Sequence, residues 1–457
     1  MKKIKTLIIG SGAAGLTSGI FSGRDSLIIS SGHGNSIISP WNCMLADNLK
    51  EKMLKSGISN NKKIVSKFIE NIPEAIEFLK KNFEIKKSNI GVIPNSKRPG
   101  IYCIKKLEKI YKNKGGKVLK GSVTGFLKSR NEIFGVLVKH EKKIKKIFFD
   151  NLIIASGGIS DLFKYSTGPN KGTEILSLLH AVGILFENIE FQMFHPFLII
   201  DEKMPKVLVS GEILSKMKYV SEGKEFLSEE IKDSLKNNEH HSIFPKMINE
   251  FYFQSIKSDI YGILEVSEEW FRKYKKENEF GWIFSGKELG NIKKIKISPA
   301  YHYLVGGIKI NERCETSLKN VFACGEVSSG LHGFNRIGGL AIPECIVFGK
   351  IAAECSSETE NRKTPSSLEK IIIQDKISNE LKEKLWFGLG PVRNNNNLKN
   401  FLEYLNYQKG LIPEFVKMIT KISLNRKESV GCFLRDDYPL PNNIKKSYLQ
   451  GNNFWFE

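Results

Sequence analysis

Two histidines and one arginine have the residue types and surroundings to bind a small anion. His195 precedes a proline in an aromatic segment, His302 follows Tyr301, and Arg336 lies between Gly333 and the pair Gly338-Gly339. The chain has only ten arginines, and a guanidinium in such a setting needs an anionic partner because burying it unpaired is costly. An arginine fork beside two histidines therefore predicts a site for a small carboxylate, although a single histidine among aromatics is also typical of a core.

A glycine-rich turn near the N-terminus predicts a dinucleotide site. Gly10, Gly12 and Gly15 form a GxGxxG sequence between an apolar run at 4–9 and a helix of small residues that ends near Ser22. The first glycine allows a tight turn, and the second lets the backbone approach a pyrophosphate at the positive helix N-terminus. The second strand ends in two serines and not in the acid that usually binds ribose. Taken alone, the absence of this acid argues against a standard NAD or FAD site.

Two later strand ends favour FAD over NAD. The run 151–155 leads into Ser156-Gly157-Gly158, and the strand 321–324 leads into Gly325-Glu326. Two such turns far apart in the chain would return to one dinucleotide site, which fits a flavin domain interrupted by a substrate domain. The alternative is that both are routine strand ends.

The pattern of apolar residues predicts an α/β fold: a doubly wound FAD-binding domain, an inserted α+β capping domain and a C-terminal helical domain. We assign residues 1–197 and 298–356 to the FAD-binding domain, 198–297 to the capping or substrate domain, and 367–457 to the C-terminal helical domain and tail. The predicted elements are strands at 4–9 and 26–30, helices at 60–83 and 101–114, a β-meander at 118–154 ending in a strand at 151–155, strands reaching 310 and 324, a helix at 342–354, helices over 367–430 and an irregular tail at 431–457.

The composition is that of a globular protein with about two to three domains. The 457 residues are 41% hydrophobic and carry a net charge of +21. Sixty of the 70 basic residues are lysines, and they are spread from Lys2 to Lys446. Nucleic-acid sites concentrate arginine and interleave aromatics, so this distribution argues against nucleic acid as a partner, while a basic surface still attracts an anionic substrate.

The cysteines and the apolar runs predict a reduced, soluble, cytoplasmic protein. The seven cysteines are widely spaced and form no CxxC pair, which argues against a disulfide framework and against a metal site. No apolar run reaches the ~18–20 residues that cross a bilayer. Glycines interrupt the basic and apolar N-terminus where a signal peptide would be cleaved.

Taken together, the motifs resemble the L-aspartate oxidases, within the succinate dehydrogenase and fumarate reductase flavoprotein group. The resemblance implies oxidation of L-aspartate to iminoaspartate for NAD biosynthesis, with electrons passed to O₂ or fumarate and with quinolinate synthase acting downstream. In that group the second strand also ends in serine, which accounts for the absent acid. The resemblance rests on GSGAAGL at 10–16, ASGG at 155–158, FHP at 194–196, PAYHYLVGGI at 299–308, CGEVSSGLHGFNR at 324–336 and RDDYP at 435–439.

The resemblance also implies roles for individual residues. Arg336, His302 and His195 would bind the substrate carboxylates against the flavin. Asn35 stands where succinate dehydrogenases have the histidine that carries flavin covalently, so FAD is expected to be non-covalent unless His33 takes that place. The expected FAD contacts are Gly10, Gly12, Ala13, Ala14, Gly15, Ser30, Ser36, Ala46, Val123, Ala155, Ser156, Gly157, Gly158, Glu174, Gly325, Glu326, Ala341 and Ile342.

Several positions differ from the pattern of the group. The proton-shuttle arginine of the fumarate reductases falls at about His241, which is otherwise a histidine on a helix of the inserted domain. Ser210 and Glu212 are loose equivalents of a threonine–glutamate pair that binds the distal carboxylate. No acid lies in 94–104, where the oxidases place a glutamate near the substrate amine. A fumarate reductase-like or succinate dehydrogenase-like enzyme, a degenerate homologue and a basic binding protein therefore remain alternatives.

Overall fold

The structure is a computed structural model with mixed α/β architecture. It describes residues 3–45, 47–88, 91–201, 216–236, 240–264, 267, 269 and 294–457, and the side chains of 235–245 lie outside that description. The strands are β1 Ile4–Ile9, β2 Ser26–Ser30, β3 Cys43–Met44, β4 Ile85–Ser88, β5 Gly91–Pro94, β6 Lys117–Lys120, β7 Ser122–Ser129, β8 Glu132–His140, β9 Lys143–Ile154, β10 Leu185–Glu187, β11 Gln192–Ile199, β12 Met217–Ser221, β13 Lys224–Glu225, β14 Ile260–Leu264, β15 Lys294–Leu304, β16 Gly307–Ile308, β17 Val321–Ala323, β18 Glu369–Ile372, β19 Ser447–Gln450 and β20 Asn453–Phe456. The helices are α1 Ala13–Ser22, α2 Leu49–Gly57, α3 Lys62–Asn82, α4 Pro99–Asn113, α5 Thr173–Val182, α6 Glu229–Lys236, α7 His240–Ser255, α8 Ala341–Ser357, α9 Asn379–Gly388, α10 Asn395–Asn406 and α11 Leu411–Asn425.

A parallel sheet in the order β6-β2-β1-β9-β17 forms the centre of the molecule. Its inner strands are apolar because they are covered on both faces, and Leu7, Ile8 and Ile153 are fully buried. From β1 the chain winds outwards through β2 and β6, and then returns to the opposite side of β1 as β9. This reversal of strand order opens a crevice at the carboxyl ends of β1 and β9, where α/β proteins bind ligands.

Strand β9 belongs to two sheet arrangements at once. Its first half pairs antiparallel with β8, and its second half pairs parallel with β1 and β17. The sequence predicted a meander followed by a strand at 151–155, and the structure joins the two. The strand continues through Asp150 and Asn151 because both buried side chains find partners: Asp150 accepts from the backbone of Arg362 at 2.8 Å, and Asn151 donates to the carbonyl of Ser356 at 2.9 Å.

Helices α1, α3, α4 and α8 pack around the parallel sheet. Helix α1 consists of small and apolar residues because it is buried against α8 on one side and α4 on another. Helix α3 begins where the side chain of Asn61 accepts from the backbone of Lys63 and Ile64. These helices match the predicted ranges at both ends to within a few residues.

An antiparallel sheet in the order β11-β15-β14-β12-β13 holds the inserted part of the chain, with α7 packed on β11 and β15. The proposed domain boundaries at 198 and 297 fall inside β11 and β15. Both strands therefore run without a break from the FAD-binding region into the capping sheet. His195 and His302 lie on these two strands.

Two predictions for the C-terminal part are wrong in detail. The segment 367–430 was predicted to be helical throughout, but it begins with β18, which pairs with β7. The tail was predicted to be irregular, but it contains the hairpin β19–β20, and β19 pairs with β10. Both additions lie at sheet edges, where strand formation depends on partners distant in sequence more than on local propensity.

Three further properties hold for the described part of the chain. None of its helices is long and apolar enough to cross a membrane. All seven cysteines are free thiols. In the same ranges, no group of three or more histidine, cysteine or acidic side chains could hold a metal ion.

Candidate active site

A cavity of about 1030 Å³ opens at the carboxyl ends of β1 and β9. One end is lined by residues 121–123 beyond β6, and the other by Arg336 and the histidines of β11 and β15. Between them lie the turn after β1 and the first turn of α8. The cavity thus follows the reversal of strand order and reaches the capping sheet.

The turn after β1 presents backbone N–H groups to this cavity. Gly10 has φ +111°, and a Cβ there would lie 2.2 Å from the carbonyl oxygen of Ala155, so only glycine allows β1 and β9 to end this close together. Gly12 caps α1 without a side-chain hydrogen bond, and the first turn of α1 carries no acid. The Ala13 N–H donates to Ser36 Oγ at 3.1 Å. Such a helix N-terminus favours a phosphate group.

The end of β2, where no acid stands, is surrounded by hydrogen bonds between Ser11, Ser30 and His33. Ser11 and Ser30 share a hydrogen bond at 2.6 Å, and Nδ1 of His33 lies 3.1 Å from the carbonyl oxygen of Ser11. On its other side, Nε2 of His33 lies 3.8 Å from the carboxylate of Glu108. His33 is therefore tied to the turn of the dinucleotide motif and does not reach into the Asn35 network described next.

Asn35, Asn170 and Glu326 connect three separate turns around the middle of the cavity. The backbone N–H of Asn35 donates to Asn170 Oδ1 at 2.8 Å, and the backbone N–H of Asn170 donates to Asn35 Oδ1 at 3.2 Å. Asn170 Nδ2 donates to Glu326 Oε2 at 2.7 Å, and Glu326 Oε1 accepts from the backbone of Leu304 at 3.2 Å. Burial raises the pKa of Glu326 to about 7, because these hydrogen bonds offset only part of the desolvation.

A second buried carboxyl group lies beside the N-terminus of α5, which begins at Thr173. Asp161 lines the cavity and accepts a hydrogen bond from Thr173 Oγ1 at 2.6 Å. Burial raises its pKa to about 6, and the neighbouring Glu174 adds a smaller effect in the same direction. Burial likewise raises the pKa of Glu174, which also lines the cavity.

Arg336 supplies the positive charge at the far end of the cavity. Its guanidinium lies 4.4 Å from the ring centre of Tyr303, and its Nη2 lies 3.0 Å from Nε2 of His302. In the described part of the chain it has no carboxylate partner, and its buried Nε has no hydrogen-bond acceptor. A guanidinium held in this way is ready to bind an external anion.

The two histidines beside Arg336 carry their protons on different nitrogens in the neutral form. Since a guanidinium only donates, Nε2 of His302 accepts, and Nδ1 then donates to Thr167 Oγ1 at 2.9 Å. His195 is the reverse case, because its Nδ1 accepts from the backbone N–H of Phe197 at 3.2 Å, which leaves the proton on Nε2.

A buried cluster from the C-terminal segment supports the loop that carries Arg336. The rings of Phe191 and Phe334 stack 4.3 Å apart, and the guanidinium of Arg426 lies over both. Arg426 is ion-paired with Glu190 at 2.8 Å, and the carbonyl of Phe334 accepts from the backbone of Cys432 at 2.9 Å. The C-terminal segment thus fixes the loop, and its residues Cys432 and Leu434 also line the cavity.

The structure brings most of the sequence-predicted residues to this one cavity. Of the substrate candidates, Arg336, His302 and His195 line it. Of the cofactor candidates, those that line it are Gly10, Gly12, Ala13, Ala14, Ser36, Val123, Ala155, Ser156, Gly157, Glu174, Glu326, Ala341 and Ile342.

Four predicted contacts lie one layer behind the cavity wall. Ser30 bonds to Ser11, and a Cβ on Gly15 would lie 2.0 Å from the carbonyl oxygen of Gly10. A Cβ on Gly158 would lie 2.2 Å from Glu326 Oε1, and one on Gly325 would lie 2.9 Å from Ala14 Cβ. These residues allow the turns to pack closely, which explains why they do not face the cavity. The predicted Ala46, Ser210 and Glu212 lie outside the described residues, and so does the side chain of His241.

Sequence reasoning missed several polar residues of the site, Asp161 among them. Thr167 holds the tautomer of His302, Asn170 joins two loops to Glu326, and Tyr303 lies beneath Arg336. Tyr303 is adjacent to His302 and could have been singled out on that ground. Thr167 and Asn170 lie on an irregular stretch with no recognisable pattern.

Comparisons with known proteins agree with this geometry. The family model described as an FAD binding domain matches residues 120–342. An L-aspartate oxidase of Pyrococcus horikoshii is 27% identical over 491 residues, covering 100% of this chain and 99% of that protein. An uncharacterized FAD-dependent oxidoreductase of Methanocaldococcus jannaschii is 31% identical over 199 residues, which is 35% of this chain and 37% of that protein.

Solved structures show the same fold at lower identity. A quinol–fumarate reductase superposes with a TM-score of 0.83 at 16% identity, covering 100% of this chain and 98% of that one. An E. coli quinol fumarate reductase gives a TM-score of 0.80 at 15% identity, with coverage of 100% and 96%. The fold is therefore that of the succinate dehydrogenase and fumarate reductase flavoproteins.

FAD is the cofactor of this fold, and the cavity fits it. The volume of about 1030 Å³ is at the upper end of ordinary small-molecule sites, roughly 300–1,000 Å³, as a dinucleotide requires. The α1 N-terminus, whose N-cap Gly12 has no side chain and whose first turn has no acid, suits a pyrophosphate, and the polar groups of Asn170, Glu326 and Asp161 also line the cavity.

Proposed function

We propose that this chain, an FAD-dependent oxidoreductase with the fold of the succinate dehydrogenase and fumarate reductase flavoproteins, oxidises L-aspartate to iminoaspartate. Support comes from the full-length similarity to an L-aspartate oxidase and from the anion site at the end of the cavity. The electrons would pass to O₂ or fumarate, and the product would feed NAD biosynthesis.

The observation that carries the proposal is the state of Arg336. Its guanidinium is partly buried, rests on Tyr303, and has no carboxylate partner in the described ranges. Leaving a buried donor without an acceptor is unfavourable, so the site is completed by a ligand that brings its own anionic oxygens. A planar carboxylate matches the guanidinium fork in charge and geometry.

Arg336, His195 and His302 each interact with a different part of such a substrate. Arg336 donates to one carboxylate, and Nε2 of His195, which carries the proton in the neutral ring, donates to a carboxylate oxygen as well. Holding the substrate at fixed points converts an encounter in solution into a reaction between positioned groups. The packing of Phe194 on Phe163 and Tyr301, at 5.5 and 6.2 Å, keeps the β11–β15 wall of the site in place.

Oxidation to an imine requires loss of a proton from the substrate ammonium. Nε2 of His302 accepts from Arg336 in this structure, and it can take that proton once the guanidinium turns to the substrate carboxylate, while Thr167 holds the proton on Nδ1. The imidazolium so formed donates to the neighbouring carboxylate, which favours the charged ring. FAD, when bound, supplies the two-electron acceptance that conversion of the C2–N single bond to a double bond requires.

The proposal is tested by anaerobic titration of the FAD-loaded protein. We expect L-aspartate to bleach the flavin absorption, whereas D-aspartate, which has the same charges, leaves it unchanged. Succinate and L-malate should bind without reducing the flavin. An unchanged spectrum with L-aspartate, together with reduction by succinate, would overturn the proposal.

The second candidate is a dicarboxylate oxidoreductase of the fumarate reductase type. It is favoured by the absence of any acid in 94–104, so no carboxylate from that segment meets a substrate amine. In this case fumarate reduction should decline from about pH 6 to about pH 8 if His241 donates the proton, because imidazole titrates near ~6.5. An identical pH profile in His241→Ala would assign His241 no part in the reaction.

A further inference from the structure

A buried carboxylate outside the cavity wall is connected to Arg336 through one aromatic ring. We propose that Glu344 is a positioning residue: it holds the hydroxyl of Tyr303, and Tyr303 in turn holds the guanidinium that receives the substrate carboxylate. The inference rests on the proposed function in one respect, namely that Arg336 binds the anion. Glu344 itself is 1% exposed and is absent from the cavity lining.

Arg336 is held by neutral groups. Its guanidinium contacts in the described part are the Tyr303 ring at 4.4 Å, His302 Nε2 at 3.0 Å, the carbonyl of the adjacent Ile337 at 3.3 Å and the Met193 sulfur at 4.0 Å. None of these partners is anionic. The ring of Tyr303 is therefore the surface that sets the plane of the guanidinium.

Tyr303 is held in turn by Glu344. Its ring is 6% exposed, and its hydroxyl donates to Glu344 Oε2 at 2.6 Å. Burial and the neighbouring Glu344 carboxylate raise the pKa of Tyr303 well above the usual range, so the hydroxyl keeps its proton and remains a donor. A hydrogen bond to a carboxylate is stronger than one to a neutral acceptor, and it makes the ring richer in electrons for the cation above it.

Glu344 also fixes the loop that carries Arg336. The same Oε2 atom lies 3.1 Å from Nε2 of His332. His332 is 4% exposed and lies in the same loop as Arg336, four residues before it. Since a carboxylate only accepts, His332 donates from Nε2. One oxygen in the first turn of α8 thereby connects strand β15 with the loop at 332–336. The positions of Tyr303 on β15 and of Arg336 on the loop therefore both depend on this atom.

The arrangement predicts a specific failure when the charge of Glu344 is removed. In Glu344→Gln the side chain keeps its shape, but Tyr303 and His332 lose a charged acceptor. The guanidinium would then rest on a less firmly held ring, and the dicarboxylate would bind about tenfold more weakly. The cofactor turn after β1 is not connected to Glu344 by these contacts, so FAD affinity should be retained.

The experiment uses the FAD-loaded full chain and malonate, a dicarboxylate that has no adjacent methylene carbons to oxidise. Malonate dissociation constants, read from the flavin difference spectrum, are compared for wild type, Glu344→Gln, Tyr303→Phe and the double variant. We expect each single variant to weaken malonate binding by about tenfold and the double variant to be no weaker than the worse single one, because both act along one path. For L-aspartate turnover, KM should rise more than kcat falls.

A matched control separates positioning from general stability. Glu187 is 3% exposed and ion-paired with Lys446, and it does not line the cavity, so Glu187→Gln removes a buried carboxylate elsewhere. Its malonate affinity should equal that of wild type. An additive double variant, or a Glu344→Gln protein whose malonate affinity is unchanged while Arg336→Ala abolishes binding, would overturn the inference.

A second measurement needs no dicarboxylate. Phenylglyoxal modifies exposed guanidinium groups, and its rate of reaction at Arg336 can be followed by mass spectrometry. We expect a several-fold faster reaction in Glu344→Gln than in wild type and Glu187→Gln; equal rates would contradict the positioning role. If wild type does not bind malonate but the modification rate rises, the proposed function fails and the positioning role stands.

Discussion

The imidazole rings of His195 and His302 lie 5.6 Å apart at an angle of 62°, and in their neutral forms the proton is on Nε2 of His195 but on Nδ1 of His302. His195 carries its proton on Nε2 because its Nδ1 accepts from the backbone of Phe197. His302 carries its proton on Nδ1, which Thr167 holds, and its Nε2 accepts from Arg336 at 3.0 Å. A ligand whose anionic oxygens engage Arg336 would release Nε2 of His302 to accept a proton, which suits a substrate with both carboxylates and a removable proton.

Thr167→Val should impair catalysis without loss of the cofactor. The substitution keeps the shape of a buried side chain but removes the hydroxyl that holds the proton on Nδ1 of His302. We expect kcat/KM for L-aspartate to fall about tenfold, since wrongly oriented imidazoles lose their role in proton transfer. Steady-state kinetics and FAD titration measure the two effects. Thr420→Val, a buried threonine within α11, is the control and should behave as wild type.

Arg336→Lys should show that the fork geometry matters beyond the charge. Lysine keeps the positive charge but offers no planar pair of donors and stacks less well on Tyr303. We expect kcat/KM to fall on the order of 10²-fold while the FAD dissociation constant stays within twofold. Arg313→Lys, at an exposed arginine paired with Glu315 and Glu358, should leave both quantities unchanged. Wild-type turnover in Arg336→Lys would refute the assignment.

Glu326 should make the apoprotein less stable as the pH rises. Its pKa in the folded state is about 7, above the ordinary value of 4.5, so the folded chain keeps a proton that the unfolded chain has lost. The contribution is fully present below about pH 4.5 and disappears as the pH rises to about 7, on the order of 3 kcal/mol at ~1.36 kcal/mol per pKa unit.

Urea unfolding of the apoprotein between pH 5 and pH 8 measures this contribution. The stability of Glu326→Gln relative to wild type should increase with pH across this window, because glutamine does not titrate. Glu74→Gln, at an exposed glutamate, serves as the control. A difference between Glu326→Gln and wild type that is the same at every pH would contradict the prediction.

The flavin should be released when the protein is unfolded. Asn35 occupies the position discussed for a covalent link, and its side chain is bound to the backbone of Asn170; an amide offers no nucleophile comparable with imidazole. His33 is bound to Ser11 at the dinucleotide turn. Acid precipitation should therefore leave all of the yellow colour in the supernatant, measured by absorbance. Colour retained in the washed pellet would show a covalent bond.

Much of this protein follows from the sequence because the signals are local. The run Ile4–Ile9, the glycines at 10, 12 and 15, and the small residues of α1 specify a strand, a tight turn and a helix without reference to distant parts of the chain. The scarcity of arginine and the glycines around Arg336 singled out this residue, which the structure places at the cavity. The FAD-binding fold was therefore predictable, and the anion-binding role of Arg336 stays a prediction.

Tertiary structure alone decided which groups support that chemistry. Thr167, Asn170 and Glu344 follow no motif, and each acts through a contact with a residue more than thirty positions away in the chain, His302, Glu326 and Tyr303 respectively. The strands β18 and β19 were missed for a related reason, since their partners β7 and β10 are equally distant. Hydrogen bonds between distant segments depend on where the packed core places their ends, and no local pattern of residue types encodes that placement.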